Sequence, residues 1–306
     1  MTQLLAVLVH QGVIRLKRVA QDGMRVRASA GAASFRRRKS LEACLEKARQ
    51  RVAELRRKIA EDPAAQVAKR RAAQERAARE REAAIERALS ELPKVEAVKQ
   101  RSRETLSKKK KVAEARVSTT DPEARVMKMG DGGFRPAYNV QLATDVESRF
   151  IVGVDVINSG SDKAQVPPML EQVVQRTGCL PEEYLADAGF NDLASIEEVT
   201  ARGVTMYTPV LKPGRARKEG AKSHRKADPA AIRAWRDRMG TPEAQAIYKN
   251  RAATAETANA DLRRWRGLDR FPARGIEKAR TTTMWAALTH NILRLITLSS
   301  AEAAHA

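Results

Sequence analysis

Three acidic residues lie in surroundings that could put a carboxylate to chemical use. The first is Asp187, in Leu185-Ala186-Asp187-Ala188-Gly189-Phe190. Glu183-Tyr184-Leu185-Ala186 reads as a buried strand, and Asn191 as the cap of a helix whose apolar positions are Leu193, Ile196 and Val199. Asp187 then stands at the carboxyl end of a strand, where open α/β sheets hold their chemistry; a turn aspartate is the alternative reading. The second is Asp22, in Gln21-Asp22-Gly23. Asp-Gly between extended segments (Ile14 to Leu16, Met24 to Ala28) predicts a hairpin, with Asp22 as a turn residue. The third is Glu256, on a helix opened by Thr241-Pro242-Glu243 and running to Arg266 before Gly267. At ~100° per residue, Tyr248, Arg251, Glu256, Asn259 and Arg263 share one face of that helix. Leu262 intrudes on the face, and ordinary charges on an exposed helix are the alternative.

The elements that would position these residues follow from hydrophobic spacing. A short helix, Gln3 to Gln11, closes at Gly12. Tyr138, Val140, Leu142 and Thr144 alternate with Asn139, Gln141 and Ala143 as a half-buried strand does, and Phe150 to Ile157 is a denser β-branched run that reads as a central strand. The short polar link between them predicts an antiparallel pair. A helix from Val166 to Thr177 follows, opened by Pro167-Pro168 and closed by Gly178. After the Asp187 junction and its helix, Val204 to Thr208 forms another strand. Strand, helix, strand, helix, strand is the grammar of a parallel sheet, here preceded by an antiparallel pair. Met284 to Leu298 is apolar nearly all round, which predicts a closing helix buried against the sheet.

Between Phe35 and Ser118 the composition changes. Leu41, Leu45, Ala48, Val52, Leu55 and Ile59 recur at the spacing of one apolar helix seam, with Ser40 as a candidate cap. The pattern breaks at Glu61-Asp62-Pro63 and resumes through Val67, Ile85, Leu89 and Leu92, with Pro93 marking a kink or second break, so a helical hairpin is expected. This stretch carries 26 Lys and Arg against 13 Asp and Glu, and Lys108, Lys109, Lys110 and Lys111 are uninterrupted. Lys212 to Gly240 holds a further ten basic residues against three acidic. The two excursions account for all but one unit of the formal net charge of +21, leaving the rest of the chain near neutral. Such an excess favours phosphate contact, and nucleic acid is the commonest polyanion partner.

The chain has 306 residues, 42% of them hydrophobic and 4% aromatic, enough for a real core and suited to long alanine- and leucine-rich helices. Cys44 and Cys179 read as separate buried thiols in a reducing cytoplasm. The histidines (His10, His224, His290, His305) show no zinc spacing. Leu4 to Val9 lacks the flanks of a signal peptide, and Met284 to Leu298 is too short and too interrupted to span a bilayer.

Taken together, these segments resemble bacterial insertion-sequence transposases of the DDE class. Leu-Ala-Asp-Ala-Gly-Phe resembles the segment carrying the second acid. Tyr248, Arg251, Glu256 and Arg263 resemble the tyrosine-arginine-glutamate-lysine helix of the third, with Arg263 in place of the usual lysine. Gln21 to Ala28 is similar to the first-acid strand, Tyr138-Asn139-Val140-Gln141 to the second strand, and Leu288 to Leu295 to the closing helix. The resemblance implies an α/β fold: a ribonuclease-H-like mixed sheet flanked by helices, built from residues 1–34 and 119–306 and interrupted by the basic helical-hairpin, coiled-coil-like insertion 35–118. It implies that Asp22, Asp187 and Glu256 converge on two Mg²⁺ or Mn²⁺ ions ~3.5 to 4 Å apart for phosphodiester chemistry. Tyr248, Arg251, Asn259 and Arg263 would contact the DNA backbone, and no other cofactor is expected. The implied partners are double-stranded DNA, as element ends and as target, and a second copy of the chain on DNA; the setting is the bacterial cytoplasm at the nucleoid. Relatives of this kind carry a helical region before the first acid, whereas Asp22 lies near the start here, so the chain resembles the catalytic part without that leader. A truncated copy that only binds DNA is the alternative reading.

Overall fold

The computed structural model describes residues 1–61, 65–105, 112–210 and 228–305. The chain divides into two units: Met1–Val26, Asn139–Arg270 and Ala279–Ala306 form the first, Arg27–Tyr138 and Phe271–Lys278 the second. Helix α1 (Thr2–His10) buries Leu5 and Leu8 and ends before Gly12, whose φ of 72° suits a residue without Cβ. Strand β1 (Arg18–Arg27) is continuous. The Asp-Gly dipeptide therefore lies inside a ten-residue strand and not at a hairpin tip. Gly23 is there for another reason: a Cβ on it would overlap the Asp162 carboxylate and lie 2.8 Å from Gln141 Nε2.

In the second unit, β2 (Phe35–Arg36) leads into helices α2 (Arg38–Glu61) and α3 (Ala65–Thr105). Arg38 binds Glu96, Arg49 binds Glu86 and Arg56 binds Glu75. Residue numbers climb on one helix as they fall on the other, so the two pack antiparallel. Leu41 and Ala48 of α2 meet Ile85, Ala88, Leu92 and Val95 of α3 in one buried cluster. Ser40 falls inside the first turn of α2 and is not its cap, and α3 runs on through Pro93. Cys44, expected to be buried, is half-exposed, and Cys179 in the first unit is exposed. Lys108, Lys109, Lys110 and Lys111 lie outside the described residues, as does most of the second basic stretch. Strand β3 (Val117–Ser118) pairs with β2, and β4 (Arg125–Lys128) pairs antiparallel with Phe134–Ala137.

Strand β5 (Phe134–Asp145) continues from there into the first unit, where Asn139 to Thr144 pairs antiparallel with β6 (Ile151–Ile157). The expected half-buried face is in fact covered: Asn139 and Gln141 are at most 1% exposed. These polar positions are inward because they serve a buried carboxylate, described below. Next come α4 (Val166–Thr177), β7 (Glu183–Ala186), α5 (Leu193–Ala201) and β8 (Thr205–Tyr207). The cap of α5 is Asp192, which accepts from Ser195 N–H; Asn191 instead donates to Pro209 O.

The strand order of this unit is β6-β5-β1-β7-β8. Strands β1, β7 and β8 are parallel, and β5 and β6 antiparallel to one another. A mixed sheet with helices around it matches the ribonuclease-H-like pattern. Among the described residues β6 pairs with β5 alone, so it is an edge strand and not the central one its composition suggests. Its free edge is satisfied by side chains. Ile151 N–H donates to Asn291 Oδ1 and Asn291 Nδ2 to Ile151 O, both at 2.8 Å, and Val154 N–H donates to Gln172 Oε1.

The remaining elements are α6 (Ala230–Arg238), α7 (Pro242–Arg251), a π-helical turn over Ala252–Glu256, α8 (Thr257–Trp265) and α9 (Ile276–His305). Helix α9 is not buried all round. It keeps Asn291 and Ala287 inward and leaves Trp285, Ile292, Leu293 and Ile296 exposed. No helix of the described residues is long and apolar enough to cross a membrane.

Candidate active site

Parallel pairing of β1 with β7 sets Gln21 opposite Ala186. Asp22 is the next residue of β1 and Asp187 the first residue beyond the end of β7, so the two aspartates follow directly on a pair of neighbouring strand positions. Asp187 leaves the sheet at once. It caps the single turn Ala188–Phe190, its Oδ1 accepting from Gly189 N–H at 2.7 Å, and its carbonyl takes the Thr208 hydroxyl.

Asp22 is more enclosed. Its Oδ1 accepts from Gly23 N–H and its Oδ2 from Asn259 Nδ2, both at 2.9 Å. Burial is the main cause of a pKa raised to about 6; Arg251 pulls it down, and Asp187 and Asp162 push it up.

Besides Asn259 of α8, the helices contribute Arg251, the last residue of α7. Its Nη1 lies 3.9 Å from Asp22 Oδ2 and its Nη2 3.4 Å from Glu256 Oε1, and its guanidinium stacks 5.8 Å from the Tyr248 ring centroid. Burial raises the Tyr248 pKa, while Arg251 opposes that shift. The π turn ends at Glu256. Widening the helix by one residue changes the phase of everything beyond it, so even ~100° spacing describes each half but not the whole. Asn259 is thereby turned onto Asp22 and Leu262 into the core, whereas Glu256 remains 64% exposed. Arg263 reaches Arg25 O at 3.4 Å, the margin of a hydrogen bond.

Asp162, in the loop after β6, was not singled out by sequence spacing. Its Oδ1 accepts from Asn139 Nδ2 and Gln141 Nε2 at 2.7 Å, and its Oδ2 from Arg25 Nη2 at 2.8 Å. The available signal was the pair of amides inside an otherwise apolar strand, which must find a polar partner when buried.

For a divalent cation, Asp22 and Asp187 are suitable in kind: hard oxygen donors, one desolvated beside other carboxylates, where a cation would relieve the repulsion. Glu256 does not complete the set as it stands, because Arg251 lies between it and Asp22. Among the described residues no three His, Cys, Asp or Glu side chains are arranged to hold a metal.

The mixed sheet flanked by helices fits the ribonuclease-H-like pattern of one family of enzymes. The family model described as "Transposase DDE domain" matches residues 114–292. The chain belongs to that family, and its enzymatic classification is transposase-like. Comparison with curated proteins and with solved structures gives no match.

Proposed function

We propose that the protein is an insertion-sequence DNA transposase that cleaves a phosphodiester and transfers the freed 3′-hydroxyl to target DNA. The observation that carries this reading is the adjacency of Asp22 and Asp187 on parallel strands, joined through Arg251 and Asn259 to the helix that bears Glu256. In this reading Asp22, Asp187 and Glu256 would hold two Mg²⁺ or Mn²⁺ ions once Arg251 is released from Glu256 to the substrate. The bound metals would activate the attacking oxygen and stabilise the leaving one. Tyr248, Arg251, Asn259 and Arg263 line the site and would meet the DNA backbone, Arg251 by a planar fork matched to phosphate. The catalytic domain is residues 1–34 and 119–306. The insertion 35–118, a basic hairpin, adds sequence-indifferent grip on double-stranded DNA with Lys108, Lys109, Lys110 and Lys111, and the active form on DNA is a homodimer at the nucleoid.

One observation favours a second reading, a protein that only binds DNA: Glu256 faces solvent in an ion pair with Arg251. Incubation with supercoiled DNA bearing insertion-sequence ends separates the two. The transposase reading expects nicking with Mg²⁺ or Mn²⁺ that EDTA abolishes; the binding reading expects steeply salt-dependent retention of DNA with no cleavage.

A further inference from the structure

A row of buried polar side chains crosses the sheet beneath the candidate site. Tyr184 Oη donates to Gln21 Oε1 at 2.8 Å, Gln21 Nε2 to Gln141 Oε1 at 3.0 Å, and Gln141 Nε2 to Asp162 Oδ1 at 2.7 Å. Asn139 adds a second amide to the same carboxylate oxygen. Tyr184, Gln21, Gln141 and Asn139 are at most 1% exposed and Asp162 is 6% exposed. Buried networks of this kind fix geometry where their members are satisfied, and here Asn139 Oδ1 is left without a hydrogen-bond partner among the described residues.

What this network fixes is the position of Asp162 relative to two glycines. Successive strand residues face opposite sides of a sheet, so the Asp22 side chain points toward α7 and α8 while residue 23 points back. The space where a residue-23 side chain would stand is filled by Asp162 Oδ1, because a Cβ on Gly23 would overlap it. The second oxygen, Oδ2, would be 3.4 Å from a Cβ on Gly189, two residues after Asp187. Arg25 ties that oxygen from a third direction. One carboxylate thus occupies the side-chain space of Gly23, just after Asp22, and stands within ordinary contact distance of where a Cβ on Gly189, two residues after Asp187, would be.

We propose that Asp162 is the positioning residue of the site, holding Gly23 and Gly189 and through them the spacing of the Asp22 and Asp187 carboxylates. The inference rests on reading those two aspartates as catalytic. Asp162 is not itself a reacting group, since both its oxygens are engaged by Arg25, Asn139 and Gln141. An amide at this position would set an NH₂ against donors and lose at least one bond.

The test compares the full chain with Asp162→Asn and with the milder Arg25→Met, which leaves the carboxylate but frees Oδ2. Two readouts are taken: the Mn²⁺-dependent nicking rate alongside DNA affinity, and the amide resonances of ¹⁵N-glycine-labelled protein. Both variants are expected to bind DNA as the parent does. Asp162→Asn should nick ~10 to 100 times more slowly, the range for losing a residue that orients functional groups, and Arg25→Met less so. The Gly23 and Gly189 resonances should move in Asp162→Asn while those of Gly178 and Gly203, which close distant helices, stay in place. If Asp162→Asn does not fold, Arg25→Met decides by the Gly189 resonance and the rate. Unchanged rate, or unmoved Gly23 and Gly189 signals in a folded variant, overturns the proposal. If the parent itself never nicks DNA, the transposase reading fails, and the glycine resonances alone decide whether Asp162 holds both backbones.

Discussion

Asp22 and Asp187 are each one residue beyond a register pair, Gln21 with Ala186, on adjacent parallel strands. Two carboxylates so placed repel one another, and burial compounds the repulsion at Asp22. The folded pKa of Asp22 is raised from 3.8 to about 6, so between those values the folded state binds a proton that the unfolded state has released. Stability therefore falls as pH rises through that window and stays reduced above it. Asp22→Asn should be more stable than the parent at pH 7 to 8, by up to about 3 kcal/mol, and equal to it below about pH 4. Urea unfolding at several pH values, in EDTA, measures the difference; a gap that does not change with pH would count against it.

Arg251 is the principal group that opposes this shift. Removing its charge with Arg251→Met should move the Asp22 midpoint further above about 6, and the carboxyl carbon signal of Asp22 in a ¹³C NMR titration follows it directly. A midpoint that stays or falls would show that Arg251 does not act on Asp22 electrostatically.

Asn291 closes the free edge of β6 with two hydrogen bonds from a fully buried side chain. Asn291→Leu leaves the Ile151 N–H and C=O without those partners and should cost about 2 to 4 kcal/mol, summing two unsatisfied buried groups. Equilibrium urea unfolding reads the loss, and a change under about 0.5 kcal/mol, the size of an ordinary surface substitution, would contradict the role.

In the second unit, Leu92 is fully buried in the cluster that joins α2 to α3. Leu92→Ala should destabilise that unit by about 2 to 5 kcal/mol, the usual cost of such a cavity. Amide exchange in the α2 and α3 segments should speed up while exchange in β6 and β7, which lie wholly in the first unit, is unchanged; equal acceleration in both would mean that the two units unfold together.

Sequence periodicity found most of the elements because each obeys a local rule. Pro167-Pro168 and Gly178 bound α4 as written, and the apolar seam of α2 lies where its spacing puts it. What escaped depends on distant partners. Gly23 looks like a turn glycine until Asp162, far along the chain, is seen to fill its side-chain volume. The β-branched run of β6 suggests two sheet neighbours, yet one of them is the Asn291 side chain. The apolar surface of α9 suggests burial, but only one side of the helix meets the core. At the site, Asp187 stands out as a carboxylate at a strand end, whereas the spacing around Asp22 reads as a hairpin turn and only the family resemblance marks it; their adjacency is a property of strand register. Glu256 lies at the end of a π turn that no even periodicity reveals.

Asp187, the carboxylate at the end of β7, carries the proposed catalysis most directly. Parent protein and Asp187→Asn should be compared on supercoiled DNA carrying insertion-sequence ends, in Mn²⁺, at matched DNA occupancy. The parent should nick and the variant at least about a thousandfold less, equivalent to about 4 kcal/mol of transition-state stabilisation, with DNA binding intact. Equal nicking by the two proteins would contradict that role.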